Sequence, residues 1–156
     1  MSVSTIDIVV KKTTESRIAQ MDPANIQFGK VYSDHMLVAY YEDGEWKQPE
    51  IVPYANLSLS PATTFIHYGQ AIFEGIKAYK DANGNPLVFR PRDNWKRMNR
   101  SAERMALPEV PEELFVEGIR KLVDIDRAWI PTSEDTSLYI RPFMFAIDEF
   151  IGVRPA

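Results

Sequence analysis

Apolar and polar positions change their period along this chain, and the changes mark its elements. From Met36 to Pro53, MLVAYYEDGEWKQPEIVP, an apolar run meets the turn signal EDGE and gives way to a more polar run that stops at proline. That order predicts a β-hairpin. A loop rich in Ser, Pro and Thr, SLSPATTF, leads to IHYGQAIFEGIKAYKDANGNPLVFRP, which predicts a second hairpin turning at NGN. The period then becomes helical. In VFRPRDNWKRMNRSAERM, Val88 to Met105, a step of about 100° per residue puts Trp95, Met98, Ala102 and Met105 on one face, with Arg97, Arg100 and Arg104 roughly opposite. Asp93 is the expected N-cap of this helix. A second helix is expected from near VPEEL, with Pro111 in its first turn and Glu112 and Glu113 complementing the dipole. Its stripe of Phe115, Ile119, Leu122, Ile125 (or Asp126) and Trp129 has core spacing. TSLYIRPFMFAI reads as a buried closing strand. The whole is α+β: an antiparallel-rich sheet with two helices packed on it, in one domain over residues 1–156.

Composition narrows the chemistry. With 156 residues, 45% of them hydrophobic, the chain can bury one core without disulfides or metal. A net charge of −4 argues against nucleic acid or an anionic membrane as a general partner, so any bound anion must be small and locally held. There is no cysteine and only two histidines, His35 and His67, which excludes a structural zinc site and thiol chemistry. The start, MSVSTIDIVVKKTTESR, lacks a basic region ahead of its apolar stretch and lacks a small-residue cleavage site. No run approaches the roughly 18 apolar residues of a membrane span. A cytosolic location is the expectation. The chain stops at DEFIGVRPA, directly after a strand, which suits a piece of something longer as well as a natural end.

The arginine helix is the main candidate for chemistry. Arg97 lies nearest its apolar edge, about 80° from Met105 and about 100° from Met98, whereas Arg100 and Arg104 point more squarely to water. A half-buried guanidinium needs a partner matched to its planar fork. A bound phosphate or carboxylate would serve, and so would an Asp or Glu of the chain itself; the residues alone leave both open.

Four stretches, FGKVYSDHM, HYGQAIFEGIKAY, VFRPRDNWKRM and TSLYIRP, together resemble the branched-chain amino acid aminotransferases from about Phe28 onward. The resemblance implies the small N-terminal domain of a fold-type-IV enzyme, with residues 1–27 as a peripheral extension. It implies pyridoxal 5′-phosphate as cofactor, its phosphate held by Arg97 of NWKRM. It further implies a substrate side-chain pocket at Phe28, Tyr68, Phe73 and Tyr139, with Arg141 meeting the distal carboxylate of glutamate or 2-oxoglutarate. Aromatic walls without charge suit leucine, isoleucine and valine by apolar burial. Ile151 and Val153 match a loop that lines a neighbouring subunit's pocket in that family, which implies a homodimer.

The same resemblance places the Schiff-base lysine, the acid paired with the pyridine nitrogen and the turn holding the substrate α-carboxylate in a larger C-terminal domain beyond Ala156. Lys77 of EGIKAY does not match that lysine. No catalytic residue is therefore expected in this chain, and the chain alone is expected to be inactive. Two alternatives accompany this reading. One is another fold-type-IV enzyme, a D-amino acid aminotransferase or an aminodeoxychorismate lyase. The other is a binding domain that keeps the fold without the chemistry.

Overall fold

A computed structural model describes residues 6–22, 26–133 and 135–154. The element order is β1 (Val9–Val10), a 3-10 turn (Ile18–Gln20), β2 (His35–Val38), β3 (Tyr41–Glu42), β4 (Glu45–Trp46), β5 (Glu50–Pro53), α1 (Thr64–Tyr68), β6 (Ala71–Phe73), β7 (Ile76–Lys80), β8 (Pro86–Val88), α2 (Pro91–Arg104), α3 (Glu112–Ile125), a 3-10 turn (Arg127–Trp129), β9 (Leu138–Ile140) and β10 (Phe143–Phe145). The α+β reading holds, and pairing is mostly antiparallel. It is divided among small sheets, β1-β5-β2, β3-β4, β10-β6 and β8-β7-β9, with β1-β5 parallel.

The first hairpin turns where its composition demands. Asp43 and Gly44 both take positive φ, 55° and 81°, as a two-residue turn matched to strand twist requires. In the second, Asp81 accepts the backbone N–H groups of Asn83 and Asn85 at 2.8 Å, an Asx turn that brings Lys80 opposite Pro86. The Ser/Pro/Thr-rich stretch and the residues after it contain α1, a short helix that no periodicity of five residues could announce, closed by Gly69 at φ 66°.

Three local expectations are corrected. Asp93 is not the N-cap of α2. Pro91, its φ preset for the first helical turn, starts the helix early after Arg90, so Asp93 lies inside it and pairs with Arg90 at 2.5 Å. Met105 is not on the buried face, because α2 ends at Arg104 and Met105 is 36% exposed. TSLYIRPFMFAI is not one buried strand. Pro142 has no N–H to give a ladder, and the chain changes sheets there: β9 pairs with β7 and β10 with β6, both only partly buried.

The core lies between β6 and β7 on one side and α2 and α3 on the other: Ile72, Ile76 and Ala78 meet Met98, Ala102, Phe115 and Ile119. Gly118 brings α3 close to β2, since a methyl group there would fall 2.6 Å from Leu37 Cδ2. Of the α3 stripe, Phe115, Ile119 and Trp129 are buried and Leu122 and Ile125 only partly, because Leu114 and Val123 share the inner face. Within the expected extension, residues 1–5 and 23–25 lie outside the described residues. The described part does not lie apart: β1 adds to β5, and Ile8 is buried. Among the described residues no helix is long and apolar enough to cross a membrane, and no His/Cys/Asp/Glu cluster could hold a metal ion.

Candidate functional site

Two short connections create the site. Glu74 and Gly75 carry the chain from β6 to β7, and Arg141 and Pro142 carry it from β9 to β10. The connections face each other, with the Glu74 N–H donating to the Pro142 carbonyl at 2.8 Å. Because β6 pairs with β10 and β7 with β9, both crossovers occur at the same level, and three consecutive residues each receive one functional group.

Phe73, 63% exposed, receives Arg141, whose Cζ lies 4.3 Å above the ring centroid. Such an exposed cation–π contact contributes about 0.5–1 kcal/mol. Arg141 also donates from Nη2 and Nε to the Tyr139 hydroxyl, at 2.9 and 3.2 Å. Gly75 receives Tyr139: a Cβ at position 75 would stand 2.5 Å from that hydroxyl oxygen. Phe28 meets the Tyr139 ring edge-on, centroids 5.2 Å apart. Phe28, Phe73, Tyr139 and Arg141 therefore form one cluster, open to solvent.

Glu74 receives Arg97. The carboxylate is 7% exposed; Arg97 donates Nε to Oε1 at 2.9 Å and Nη2 to Oε2 at 2.5 Å, and Asn94 Nδ2 donates to Oε2 at 2.9 Å. Burial pushes the Glu74 carboxyl up, but the hydrogen bonds from Arg97 and Asn94 and the arginine charge outweigh it and hold the group below its ordinary value. The hydrogen bonds that Arg97 donates to Glu74, and then the Glu74 charge, raise Arg97 in turn. The internal carboxylate weighed for Arg97 thus exists. It occupies one edge of the fork and leaves the side chain 53% exposed, with Nη1 bound to no group among the described residues.

Other expected residues stand apart. Tyr68, 43% exposed, has its ring contact with His67 and none with the Phe73 cluster. Ile151 and Val153 are 66% and 91% exposed and join no part of it. Lys77 sits opposite Tyr139 in the β7-β9 register. Glu74, Gly75 and Asn94 were not singled out from sequence, although Asn94 and Arg97, three apart on one helix face, signal a shared partner.

A phosphate fits the donors present. Arg97, Arg100, Arg104 and Ser101 line one shallow, open cleft beside Ala71 and Ile72, a set of cationic and hydroxyl donors whose chemistry suits an anion. Glu74 and Glu103 also line it, and the Arg97 pairing keeps the first of these from opposing an anion alone.

No family model matches the chain. It is 48% identical over 134 residues to branched-chain-amino-acid transaminase 1 of Bacillus subtilis, covering 85% of this chain and 38% of that protein. It is 50% identical over 141 residues to a probable branched-chain-amino-acid aminotransferase of Staphylococcus epidermidis, covering 90% and 39%. Among solved structures, the branched-chain amino acid aminotransferase of Escherichia coli superposes with TM-score 0.58 at 27% identity over 80% of this chain and 37% of that one. The T.th. branched-chain amino acid aminotransferase complexed with N-(5′-phosphopyridoxyl)-L-glutamate does so with TM-score 0.53 at 33% identity, over 67% and 33%. The fold is thus that of the N-terminal portion of a fold-type-IV aminotransferase. Over most of its own length, the chain is similar to the branched-chain amino acid aminotransferases. It spans under two fifths of the length of these curated relatives.

Proposed function

We propose that this chain is the substrate- and phosphate-facing part of an enzyme that moves an amino group between leucine, isoleucine or valine and 2-oxoglutarate, with pyridoxal 5′-phosphate as cofactor. The observation that carries the reading is the tripeptide Phe73-Glu74-Gly75, which seats Arg141, Arg97 and Tyr139 side by side. When bound, pyridoxal phosphate supplies the electron sink and the amino-group carrier.

The residues divide the work by chemistry. Arg97 holds the phosphate through charge-assisted hydrogen bonds, with Arg100 and Arg104 adding field from further out. Phe28, Phe73 and Tyr139 bury an apolar side chain. Arg141, already over Phe73 and bound to the Tyr139 hydroxyl, is placed to meet a carboxylate at the rim of the same surface, so one pocket accepts two unlike substrates. Tyr68, Ile151 and Val153 join the site in this reading only with the rest of the enzyme and a second subunit, as a homodimer. In this reading the lysine that anchors the cofactor lies outside this chain, and Lys77 is not assigned that role. The enzyme is assigned to the cytoplasm.

Cofactor binding to the full-length protein tests this. Arg97→Ala should weaken pyridoxal phosphate binding by about one to two orders of magnitude, and Arg100→Ala by less than about threefold. Equal affinities for the two variants would remove Arg97 from the phosphate site.

A further inference from the structure

We propose that Glu74 is a positioning residue: its buried carboxylate fixes the Arg97 guanidinium so that the free edge of the fork faces the cofactor phosphate. This rests on the phosphate role given to Arg97 above. Glu74 cannot turn. Its backbone is tied to Pro142, its Oε2 takes the Asn94 amide at 2.9 Å, and that amide also reaches the Gly75 carbonyl at 3.2 Å. Asn94 lies one turn ahead of Arg97 on α2, so helix and connection hold the carboxylate from both ends.

Arg97 by contrast is 53% exposed, and a long side chain in that setting gives up much of its rotamer freedom when a ligand orders it. A bidentate contact through Nε and Nη2 removes that freedom beforehand and leaves Nη1 to donate outward. As a stabilising ion pair the arrangement is poor, because one partner is buried and the other half in water. As an orienting device it is well formed. Were charge alone at work, Glu74 would neutralise Arg97, and its removal would tighten anion binding. The two accounts differ in sign.

The test uses the full-length protein stripped of cofactor and titrated with pyridoxal phosphate and with pyridoxal, which lacks the phosphate. Glu74→Gln should weaken pyridoxal phosphate about tenfold while leaving pyridoxal within about twofold. In an Arg97→Ala background it should add nothing. Tighter pyridoxal phosphate binding, equal losses for both ligands, or additive losses in the double variant would each overturn the proposal. Should Glu74→Gln fail to fold, Arg97→Lys keeps the charge but cannot take the two-point clamp; it should show the same selective loss, and wild-type affinity would overturn the proposal. Wild-type protein that binds neither ligand would refute the cofactor reading and this inference with it. Tight wild-type binding unaffected by Glu74→Gln would refute the role of Glu74 alone.

Discussion

Around Asp34 and His35 every polar group finds its partner inside the chain, whereas around Phe73 and Arg141 the rings stand in solvent. Asp34, 7% exposed, accepts from Ser16 Oγ at 2.6 Å, the Arg17 N–H at 2.8 Å and Trp129 Nε1 at 2.9 Å. His35, also 7% exposed, gives its backbone N–H to Asp126 Oδ2 at 2.9 Å and meets Asp126 Oδ1 through Nδ1 at 2.6 Å. Its Nε2 accepts the Thr13 N–H at 3.0 Å, so the ring proton sits on Nδ1. This network staples the N-terminal stretch to β2 and to the end of α3. The other region has Phe28 at 77% and Phe73 at 63% exposure, and among the described residues Arg141 is held by the Tyr139 hydroxyl and by the ring faces of Phe73 and Tyr139. One region is complete and rigid, as stability requires. The other is preset in geometry but open, as binding requires.

The sharpest way to break this contrast is to empty the closed network. Asp126→Ala leaves two buried His35 donors without an acceptor and should lower stability by about 3 kcal/mol, read as a fall in the urea midpoint, without changing preference between substrates. A loss below about 1 kcal/mol would show that water can replace the carboxylate. The open region should respond the other way. In the full-length enzyme Arg141→Ala should remove about 2 kcal/mol of transition-state stabilisation for glutamate and 2-oxoglutarate and less than about 1 kcal/mol for leucine, with little change in melting temperature. Equal losses for both substrates, from single-turnover rates, would make Arg141 structural.

Gly75→Ala tests the seam between function and fold. The backbone there accepts alanine, but the methyl group must displace the Tyr139 hydroxyl. Stability should fall by about 1 kcal/mol or less, and discrimination between glutamate and leucine should narrow, because Arg141 loses its hydroxyl partner. Unaltered discrimination would mean that Tyr139 can move without consequence.

The smallest effect is in acid. Glu74 and Asp34 are both held below the ordinary carboxyl range; burial opposes this in each, and hydrogen bonds from Arg97 and Asn94, or from Ser16, Arg17 and Trp129, prevail. A depressed folded-state value contributes stability above the unfolded value, about 4 for these groups, and that contribution fades as pH falls through the folded value. Thermal unfolding from pH 7 to about pH 3 should therefore show wild type losing more than Glu74→Gln, with the residual acid sensitivity of the variant coming from Asp34 and its other carboxylates. Parallel curves would show that Glu74 is not ionised through its clamp.

Much of the scaffold was legible along the chain. EDGE and NGN marked both hairpins because their turns need Asx and Gly at positive φ or in Asx turns, a local demand that any context must honour. Both long helices announced themselves by period, and the wheel picked out Arg97 as the arginine nearest the core edge. The break at Arg141-Pro142 could have been read from proline alone; an apolar run on both sides of it hid the change of sheet.

The site was legible only as residue types. Aromatics and arginines in four motifs indicated what kind of ligand to expect, and Phe28, Phe73, Tyr139 and Arg141 do come together. Tyr68 and Val153 do not join them within the described residues. What sequence by itself determined, then, was local: turn, period, and the charge and shape of each side chain. Tertiary structure alone decided that Glu74 rather than a ligand takes one edge of Arg97, that Gly75 must be bare to admit Tyr139, and that two chain crossovers meet at one level. Those facts depend on which strands pair across long stretches of chain, β6 with β10 and β7 with β9, and a nearest-neighbour pattern carries no information about distances of that kind.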